Sequence, residues 1–147
     1  MERETKLVRT QVKRTEFQEH SVPLYFTSSF VFKDSDQMAA LFNEEEEGYI
    51  YSRYSNPNVD EFVRKMADLE HAESGWATAS GMAAIFTTFA TFLQQGDHIV
   101  SSRSVFGSTH RLFTEIFPKW GITTTYVSFD DVASWEKAIT SNTRMIY

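Results

Sequence analysis

The stretch GWATASGMAAIFTTFATFLQQGDHIVS, residues 75–101, decides the fold. Its first part, residues 75–80, is short and apolar and predicts a buried strand. Residues 81–95 carry apolar side chains nearly all round and predict a helix that is buried on several sides. A second short strand is predicted over residues 98–101. This order of strand, helix and strand favours an α/β fold with parallel strands.

The same alternation continues on both sides of that stretch. A helix is predicted over residues 59–73, with Asn58 as its N-cap. The pattern further predicts a helix over residues 108–120 that stops at Gly121, a strand over 122–129, a helix over 131–140 with Val132, Trp135 and Ala138 inward, and a strand over 144–147. Residues 58–147 are therefore expected to form the first part of a mostly parallel sheet with flanking helices.

Residues 1–57 are predicted to form a separate N-terminal arm. Residues 4–14 have helical propensity with a weak apolar face, residues 21–32 favour extended structure, and residues 35–46 predict a short helix. Because the first of these segments has so little to bury, it is either mobile or packed on something outside this chain.

Composition argues against several functional classes. The net charge of −6 argues against sequence-independent binding to nucleic acid or to an anionic membrane. The sequence has no cysteine and no cluster with metal-ligand spacing, so no metal site is expected. No apolar run approaches the roughly 18 residues of a spanning helix, and residues 1–4 lack the apolar core of a secretory signal. We expect a cytoplasmic protein, and the strand-like residues 143–147 favour a longer polypeptide.

The segment YIYSRYSNPN, residues 49–58, is the first that could carry chemistry. The planar guanidinium of Arg53 and the neighbouring hydroxyl groups suit a phosphate or a carboxylate, because the fork donates two parallel hydrogen bonds. The alternative is an aromatic-rich loop whose arginine pairs with a surface acid.

The segment ASGMAA, residues 79–84, lies between a predicted strand and a buried helix. Such a turn exposes backbone N–H groups at the positive end of the helix dipole, where phosphate binds readily. Ser80 can cap the helix and Gly81 allows a ligand to come close, although an ordinary capped turn remains the alternative. Neither G-x-G-x-x-G nor a lysine-bearing P-loop is present, which disfavours NAD and ATP and leaves a small phosphorylated ligand.

The segment SVFGSTH, residues 104–110, follows the next strand, and ligands bind at the carboxyl ends of strands in open α/β sheets. The ring of Phe106 is placed to cover an aromatic ligand, and Gly107 keeps the backbone clear. A histidine on a helix, such as His110, is more often packed or solvated than catalytic. No serine is paired with an obvious histidine and aspartate.

Taken in order, these segments resemble the N-terminal part of the Cys/Met-metabolism family of pyridoxal 5′-phosphate enzymes. That family includes cystathionine γ-synthase, cystathionine and methionine lyases and the O-acylhomoserine sulfhydrylases. The resemblance runs from about Ser21 to the end of the chain. It is carried by PLYFTSSF (residues 23–30), YSRYSNP (51–57), SGMAA (80–84) and GDHIV (96–100). It implies pyridoxal-phosphate fold type I, the aspartate-aminotransferase-like fold.

The resemblance also implies a set of cofactor-binding residues. These are Tyr51, Arg53, Ser80, Gly81, Met82 and Phe106. The first two match a pair that reaches the cofactor phosphate of the neighbouring subunit, which implies a homo-oligomer built from active-site-sharing dimers and assembled as a tetramer. The next three match the turn whose N–H groups hold that phosphate, and the phenylalanine takes the place of the ring that stacks on the cofactor. Much of the family has tyrosine there, and a phenylalanine cannot exchange a proton.

The implied activity is a γ-replacement in methionine biosynthesis, in which O-succinylhomoserine or O-acetylhomoserine reacts with sulfide to give homocysteine. Residues 104–122 are most similar to the O-succinylhomoserine sulfhydrylases of the family. The family's Schiff-base lysine lies further along the chain, so no catalytic residue is assigned here, and Lys65, Lys119 and Lys137 do not take that role. Cystathionine γ-synthase or γ-lyase activity is the alternative within the family. A non-catalytic phosphate-ligand or interaction module is the alternative from another class.

Overall fold

A computed structural model of the chain describes residues 3–9 and 14–147. The chain divides into two compact units, Met1–Ala77 and Thr78–Tyr147. Within the described ranges, no helix is long and apolar enough to cross a membrane. The boundary expected between residues 57 and 58 stays a prediction.

In the part of the first unit that the structure describes, the helices are α1 (Arg3–Arg9), α2 (Ser35–Phe42) and α3 (Pro57–Glu70). The predicted N-terminal helix is confirmed over its first part, while residues 10–13, including the apolar Val12, lie outside the described residues. Helix α2 begins after Asp34, whose carboxylate accepts the backbone N–H of Gln37. It ends earlier than predicted because the acidic run that follows has no apolar face to bury.

The N-cap of α3 is Asn56, so the assignment of that role to Asn58 was wrong. The side chain of Asn56 accepts the backbone N–H of Asn58 at 2.9 Å. Pro57 occupies the first turn, where its missing N–H costs nothing and its restricted φ favours the helix. Asn58 lies inside the helix instead, and its side chain is free to bind another segment of the chain.

The second unit is an α/β layer, as the alternation predicted. Its main elements are α4 (Gly81–Phe92), β1 (His98–Ser102), α5 (Gly107–Arg111), β2 (Thr123–Val127), α6 (Val132–Ala138) and β3 (Thr143–Ile146). The three strands are parallel, in the order β2-β1-β3. The central strand β1 is buried along its whole length, which explains why its sequence is apolar or small rather than alternating.

Three predicted features of this unit were wrong. Residues 75–80 form no strand, because none of the described strands pairs with them. Helix α4 is covered on one side only: Phe89 is buried, whereas Phe92 is 68% exposed. Val132, expected to point inward on α6, is 80% exposed. It is the first residue after the N-cap Asp131, whereas Trp135 and Ala138, further along the helix, are half-buried.

The predicted helix over residues 108–120 is present, but only its first turn, α5, is α-helical. A π-helical turn (Leu112–Ile116) and a 3₁₀ helix (Phe117–Trp120) continue it. Pro118 has no N–H to donate to an earlier carbonyl, so the regular α-helical ladder cannot pass through it. Gly121 ends the run as predicted, in the left-handed region at φ +73°, where a Cβ would lie 2.8 Å from Gln95 Cγ.

The core of the second unit lies between the sheet and the helices on one face. It consists of the buried apolar residues Phe89, Leu93, Ile99, Leu112, Phe113, Phe117 and Ile122. The rings of Phe89 and Phe113 meet edge to face with their centres 4.9 Å apart. This aromatic packing joins α4 to the irregular helix and seats both on β1.

A buried histidine joins all three strands. His98, 6% exposed at the start of β1, has Nε2 2.8 Å from the hydroxyl of Thr125 on β2. Its Nδ1 lies 2.8 Å from the hydroxyl of Thr143 on β3. Both ring nitrogens are therefore satisfied inside the sheet, and His98 has a structural role at the edge opposite to the loops that follow the strands.

Candidate functional site

A turn that carries Tyr51 and Arg53 is attached to the extended segment before α2. Ser29 and Tyr51 form an antiparallel bridge. Beside it the backbone N–H of Ser52 donates to the carbonyl of Ser28 at 2.9 Å, and that of Phe30 donates to Ile50 at 3.2 Å. The carbonyl of Tyr51 accepts from the N–H groups of Tyr54 and Ser55, which closes the turn. Part of the extended segment predicted over residues 21–32 therefore pairs with this turn through an isolated bridge and the hydrogen bonds beside it.

Arg53 projects from the turn over two aromatic rings. Its guanidinium carbon lies 5.0 Å from the centre of the Tyr51 ring and 5.9 Å from that of Tyr54. Among the described residues, Arg53 has no ion-pair partner. The alternative in which this arginine pairs with a surface acid is therefore not what the described structure contains, and its fork is available to an external anion.

Two asparagine side chains attach this turn to the rest of the unit. The amide of Asn58 accepts the N–H of Tyr25 at 2.8 Å and donates to the carbonyl of Pro23 at 2.7 Å. The amide of Asn56 donates to the carbonyl of Tyr25 at 3.2 Å and to the hydroxyl of Ser52 at 2.9 Å. These bonds hold residues 23–25 against the start of α3, and nothing in the sequence marks them.

Tyr49, at the entrance to the turn, is bound to α3. Its hydroxyl donates to the Asp60 carboxylate at 2.8 Å. Burial, followed by this hydrogen bond, raises the pKa of Tyr49 to about 12. The phenol is therefore protonated at neutral pH and acts as a donor that links the turn to the helix.

The N-terminus of α4 presents backbone donors in the second unit. The hydroxyl of Ser80 caps the helix by accepting the N–H of Ala83 at 3.1 Å. Within the described residues, the N–H groups of Gly81 and Met82 have no acceptor. Ser80 and Gly81 are exposed, and a Cβ built on Gly81 would meet nothing within 4 Å, so no described side chain crowds Gly81 itself. This arrangement can receive the oxygens of a phosphate.

The loop after β1 comes against the same helix end. The hydroxyl of Thr109, which is fully buried in α5, points to the sulfur of Met82 at 3.9 Å. Phe106 precedes α5, accepts the N–H of His110 through its carbonyl, and is 72% exposed. The structure therefore brings the second and third sequence segments together after the carboxyl end of β1, through the contact between Thr109 and Met82.

His110 is exposed, and its ring lies against Tyr126. Its ring centre lies 5.0 Å from that of Tyr126 on β2. Within residues 3–9 and 14–147, no group of three or more histidine and acidic side chains could hold a metal ion. The site thus offers phosphate donors and a ring surface, and the described residues place no acid or base beside them.

Two residues that support the candidate segments, one in each unit, were not predicted from the sequence. The Asn56-Pro57 pair carried a usable signal, since an asparagine before a proline at the first helical position is typical of a helix start. Thr109 carried none, because a threonine in a polar segment gives no sign that it will be buried against a methionine.

A family model described as Cys/Met metabolism PLP-dependent enzyme matches residues 4–147. The chain is 44% identical over 144 residues to the O-succinylhomoserine sulfhydrylase of Pseudomonas aeruginosa, covering 98% of this chain and 36% of that protein. It is 42% identical over 127 residues to the homocysteine synthase of Schizosaccharomyces pombe, covering 86% of this chain and 30% of that protein. The chain thus spans about a third of the length of the curated relatives it matches.

The fold matches solved structures equally well. A crystal structure from Campylobacter jejuni, described as an O-acetylhomoserine (thiol)-lyase with N′-pyridoxyl-lysine-5′-monophosphate, superposes with a TM-score of 0.92 at 34% identity. The match covers 99% of this chain and 36% of that one. The α/β architecture is therefore shared over nearly the whole chain.

Proposed function

The chain belongs to the Cys/Met metabolism PLP-dependent enzymes, and from this premise we propose that it is the N-terminal third of an O-succinylhomoserine sulfhydrylase. That enzyme would bind pyridoxal 5′-phosphate and convert O-succinylhomoserine or O-acetylhomoserine, with sulfide, to homocysteine in methionine biosynthesis. The observation that carries the proposal is the exposed N-terminus of α4, which contacts α5 through Met82 and Thr109, with the exposed Phe106 directly before α5. The absence of cysteine fits a cytoplasmic, reducing location.

The proposed phosphate site is built from backbone donors. The N–H groups of Gly81 and Met82 lie at the positive end of a 12-residue helix, where a dianionic phosphate is stabilised. Ser80 already caps the helix through its hydroxyl, so its oxygen orients the turn while the hydroxyl hydrogen stays available as a further donor. The exposure of Gly81 and the absence of any heavy atom within 4 Å of a Cβ built there support this role, because a ligand can approach the backbone closely.

Arg53 and Tyr51 are proposed to complete the same kind of site in a second copy of the chain. The arginine is exposed, supported by two rings and without an acid partner among the described residues, as an anion-binding arginine should be before its ligand arrives. In this proposal residues 1–57 are the arm that serves the neighbouring subunit, and residues 58–147 begin the cofactor-binding domain. The enzyme is then a homo-oligomer with at least two subunits, and a tetramer if the dimers pair.

Phe106 is proposed to lie on the face of the cofactor ring. Its side chain is exposed and its backbone is held in place by α5, so the ring offers a flat apolar surface at no cost in ordering the loop. It has no hydroxyl, so proton transfer at this position cannot come from the residue itself.

When bound, the cofactor supplies an electron sink that makes the α- and β-protons of the amino acid removable. The residues of this chain hold the phosphate, cover the ring and keep water from one side of it. The lysine that moves the proton is proposed to lie beyond Tyr147.

The test is a purification of the full-length protein followed by substrate assays. We expect the protein to carry the visible absorption band of bound pyridoxal phosphate and to release homocysteine from O-succinylhomoserine and sulfide faster than cystathionine from O-succinylhomoserine and cysteine. Fast turnover with cysteine and none with sulfide would assign the cystathionine γ-synthase reaction instead. A monomer without the absorption band would favour the non-catalytic module.

A further inference from the structure

Asn56 is a buried polar residue whose side chain is fully used. It is 8% exposed, and its amide accepts one hydrogen bond, from Asn58, and donates two, to Tyr25 and to Ser52. A buried amide with all these bonds made holds its neighbours in one arrangement, because each alternative leaves a polar group without a partner.

The bond to Ser52 leads directly to the arginine. The hydroxyl of Ser52 accepts from Asn56 and donates to the carbonyl of Thr27 at 2.5 Å. The backbone of the same residue donates to Ser28. Ser52 is therefore held from both sides at the position just before Arg53.

Ring packing supports the entrance of this turn, where the centres of Phe30 and Tyr49 lie 5.2 Å apart, but does little at its tip. Tyr54 is 67% exposed, and the contacts that its ring and that of Tyr51 make with Arg53 are themselves at the surface. The hydrogen bonds of Asn56 and Ser52 therefore act together with the backbone bonds from Tyr54 and Ser55 to the Tyr51 carbonyl in fixing where the base of the Arg53 side chain lies.

We propose that Asn56 is a positioning residue which, through Ser52, places Arg53 for the cofactor phosphate. This inference rests on the proposed function, since it assigns Asn56 a role in the same phosphate site. The amide does not touch the cofactor; it lowers the entropy that Arg53 must lose on binding, and so raises phosphate affinity.

The test is a double-mutant cycle in the full-length protein, stripped of cofactor and titrated with pyridoxal phosphate while the quenching of protein fluorescence is followed. Asn56→Ser keeps an N-cap for α3 but removes both donated bonds. We expect it to weaken pyridoxal phosphate binding about tenfold, the equivalent of one or two net hydrogen bonds. In an Arg53→Ala background the same change should alter affinity by less than about twofold.

Two further arms separate positioning from general damage. Ser52→Ala, which leaves Asn56 and the helix cap in place, should reproduce the effect of Asn56→Ser and its dependence on Arg53. Pyridoxal, which lacks the phosphate, should bind the wild type and both variants with equal affinity. Asn142→Ser is the matched control, because the amide of Asn142 accepts only from Ser141 within the described residues.

The outcomes are distinguishable from a failure of the proposed function. Wild-type protein that binds no pyridoxal phosphate would overturn both proposals. The positioning role alone would be overturned if Arg53→Ala weakens pyridoxal phosphate binding but Asn56→Ser lowers the affinity equally in the wild-type and Arg53→Ala backgrounds. It would also be overturned if Asn56→Ser lowers the affinity for pyridoxal as much as that for pyridoxal phosphate. If Asn56→Ser does not fold, the Ser52→Ala cycle decides in the same way.

Discussion

The guanidinium carbon of Arg53 lies 5.0 Å from the centre of the Tyr51 ring, over the face of the aromatic side chain. A cation above a ring is attracted by its negative face, which orders a long flexible side chain at the surface. Because Tyr51 and Arg53 are separated by one residue of a closed turn, the two groups proposed to bind the phosphate already support one another in the single chain.

Loss of this arginine should weaken cofactor retention. Arg53→Ala removes a charge-assisted, bidentate phosphate contact. We therefore expect pyridoxal phosphate binding to become less favourable by an amount on the order of 2 kcal/mol or more. Equilibrium dialysis of the full-length protein measures it. Arg111→Ala is the matched control. Arg111, the last residue of α5, is exposed and pairs with Glu115 in the π-helical turn that follows. Equal cofactor affinity in wild type and Arg53→Ala would contradict the assigned role.

A hydroxyl introduced at position 106 tests whether the absence of a phenol there affects the ratio of γ-elimination to γ-replacement. Phe106→Tyr keeps the ring, so cofactor affinity should stay within about twofold, whereas Phe106→Ala should weaken it because the stacking surface is lost. We further expect Phe106→Tyr to raise γ-elimination relative to γ-replacement, measured as 2-oxobutanoate against homocysteine. An unchanged ratio would show that the difference between the two side chains concerns packing only.

The buried histidine should matter for stability and not for the cofactor. His98→Leu removes the partner of Thr125 and Thr143, and we expect the free energy of unfolding to fall by about 1–3 kcal/mol. Denaturant unfolding of the full-length protein measures this change. Pyridoxal phosphate affinity should not change, because His98 lies at the start of β1 and Phe106 beyond its end. His20→Leu, at an exposed position, serves as the control, and a large loss of cofactor affinity in His98→Leu would refute the structural role.

The raised pKa of Tyr49 predicts a loss of stability in alkali. Below the unfolded pKa of about 10, the phenol is protonated in both states and its hydrogen bond to Asp60 contributes fully. As the pH rises from about 10 to the folded pKa of about 12, the unfolded state releases the proton first, and the contribution is lost. The stability advantage of wild type over Tyr49→Phe should therefore shrink across this window, as denaturant unfolding at a series of pH values would show. A constant difference would contradict the raised pKa.

Much of the second unit could be predicted because apolar strand-like runs and helical segments alternate along its sequence at short intervals. The β-branched and apolar runs at 98–101 and 122–129 correspond to β1 and β2, and their alternation with helices implied the parallel pairing that the sheet has. The stop at Gly121 was predictable for a local reason, since the left-handed backbone there favours glycine.

The errors share a physical cause, which is that pattern alone does not show what covers a face. The apolar circumference of α4 predicted burial on several sides, yet Phe92 is exposed because no described element of its unit packs on that side. Residues 75–80 have the composition of a strand, but a strand also needs a neighbour to pair with. The composition of a segment shows that its apolar side chains can be buried, but the elements packed against the segment determine whether they are.

In the candidate segments too, some features could be predicted from the sequence and others could not. Arg53, Gly81 and Phe106 could be singled out from residue chemistry and position relative to the predicted elements. The side-chain bonds that hold them could not, because Asn58 reaches a segment thirty-odd positions earlier and nothing local in the sequence marks such a partner.

That same reach has a kinetic consequence. The bonds from Asn58 join residues 33 and 35 positions apart, so a large loop must close before either one forms. The turns of α3 close over four residues and need no such search. On this argument from chain entropy, we expect α3 to form before residues 23–25 dock onto its N-terminal turn.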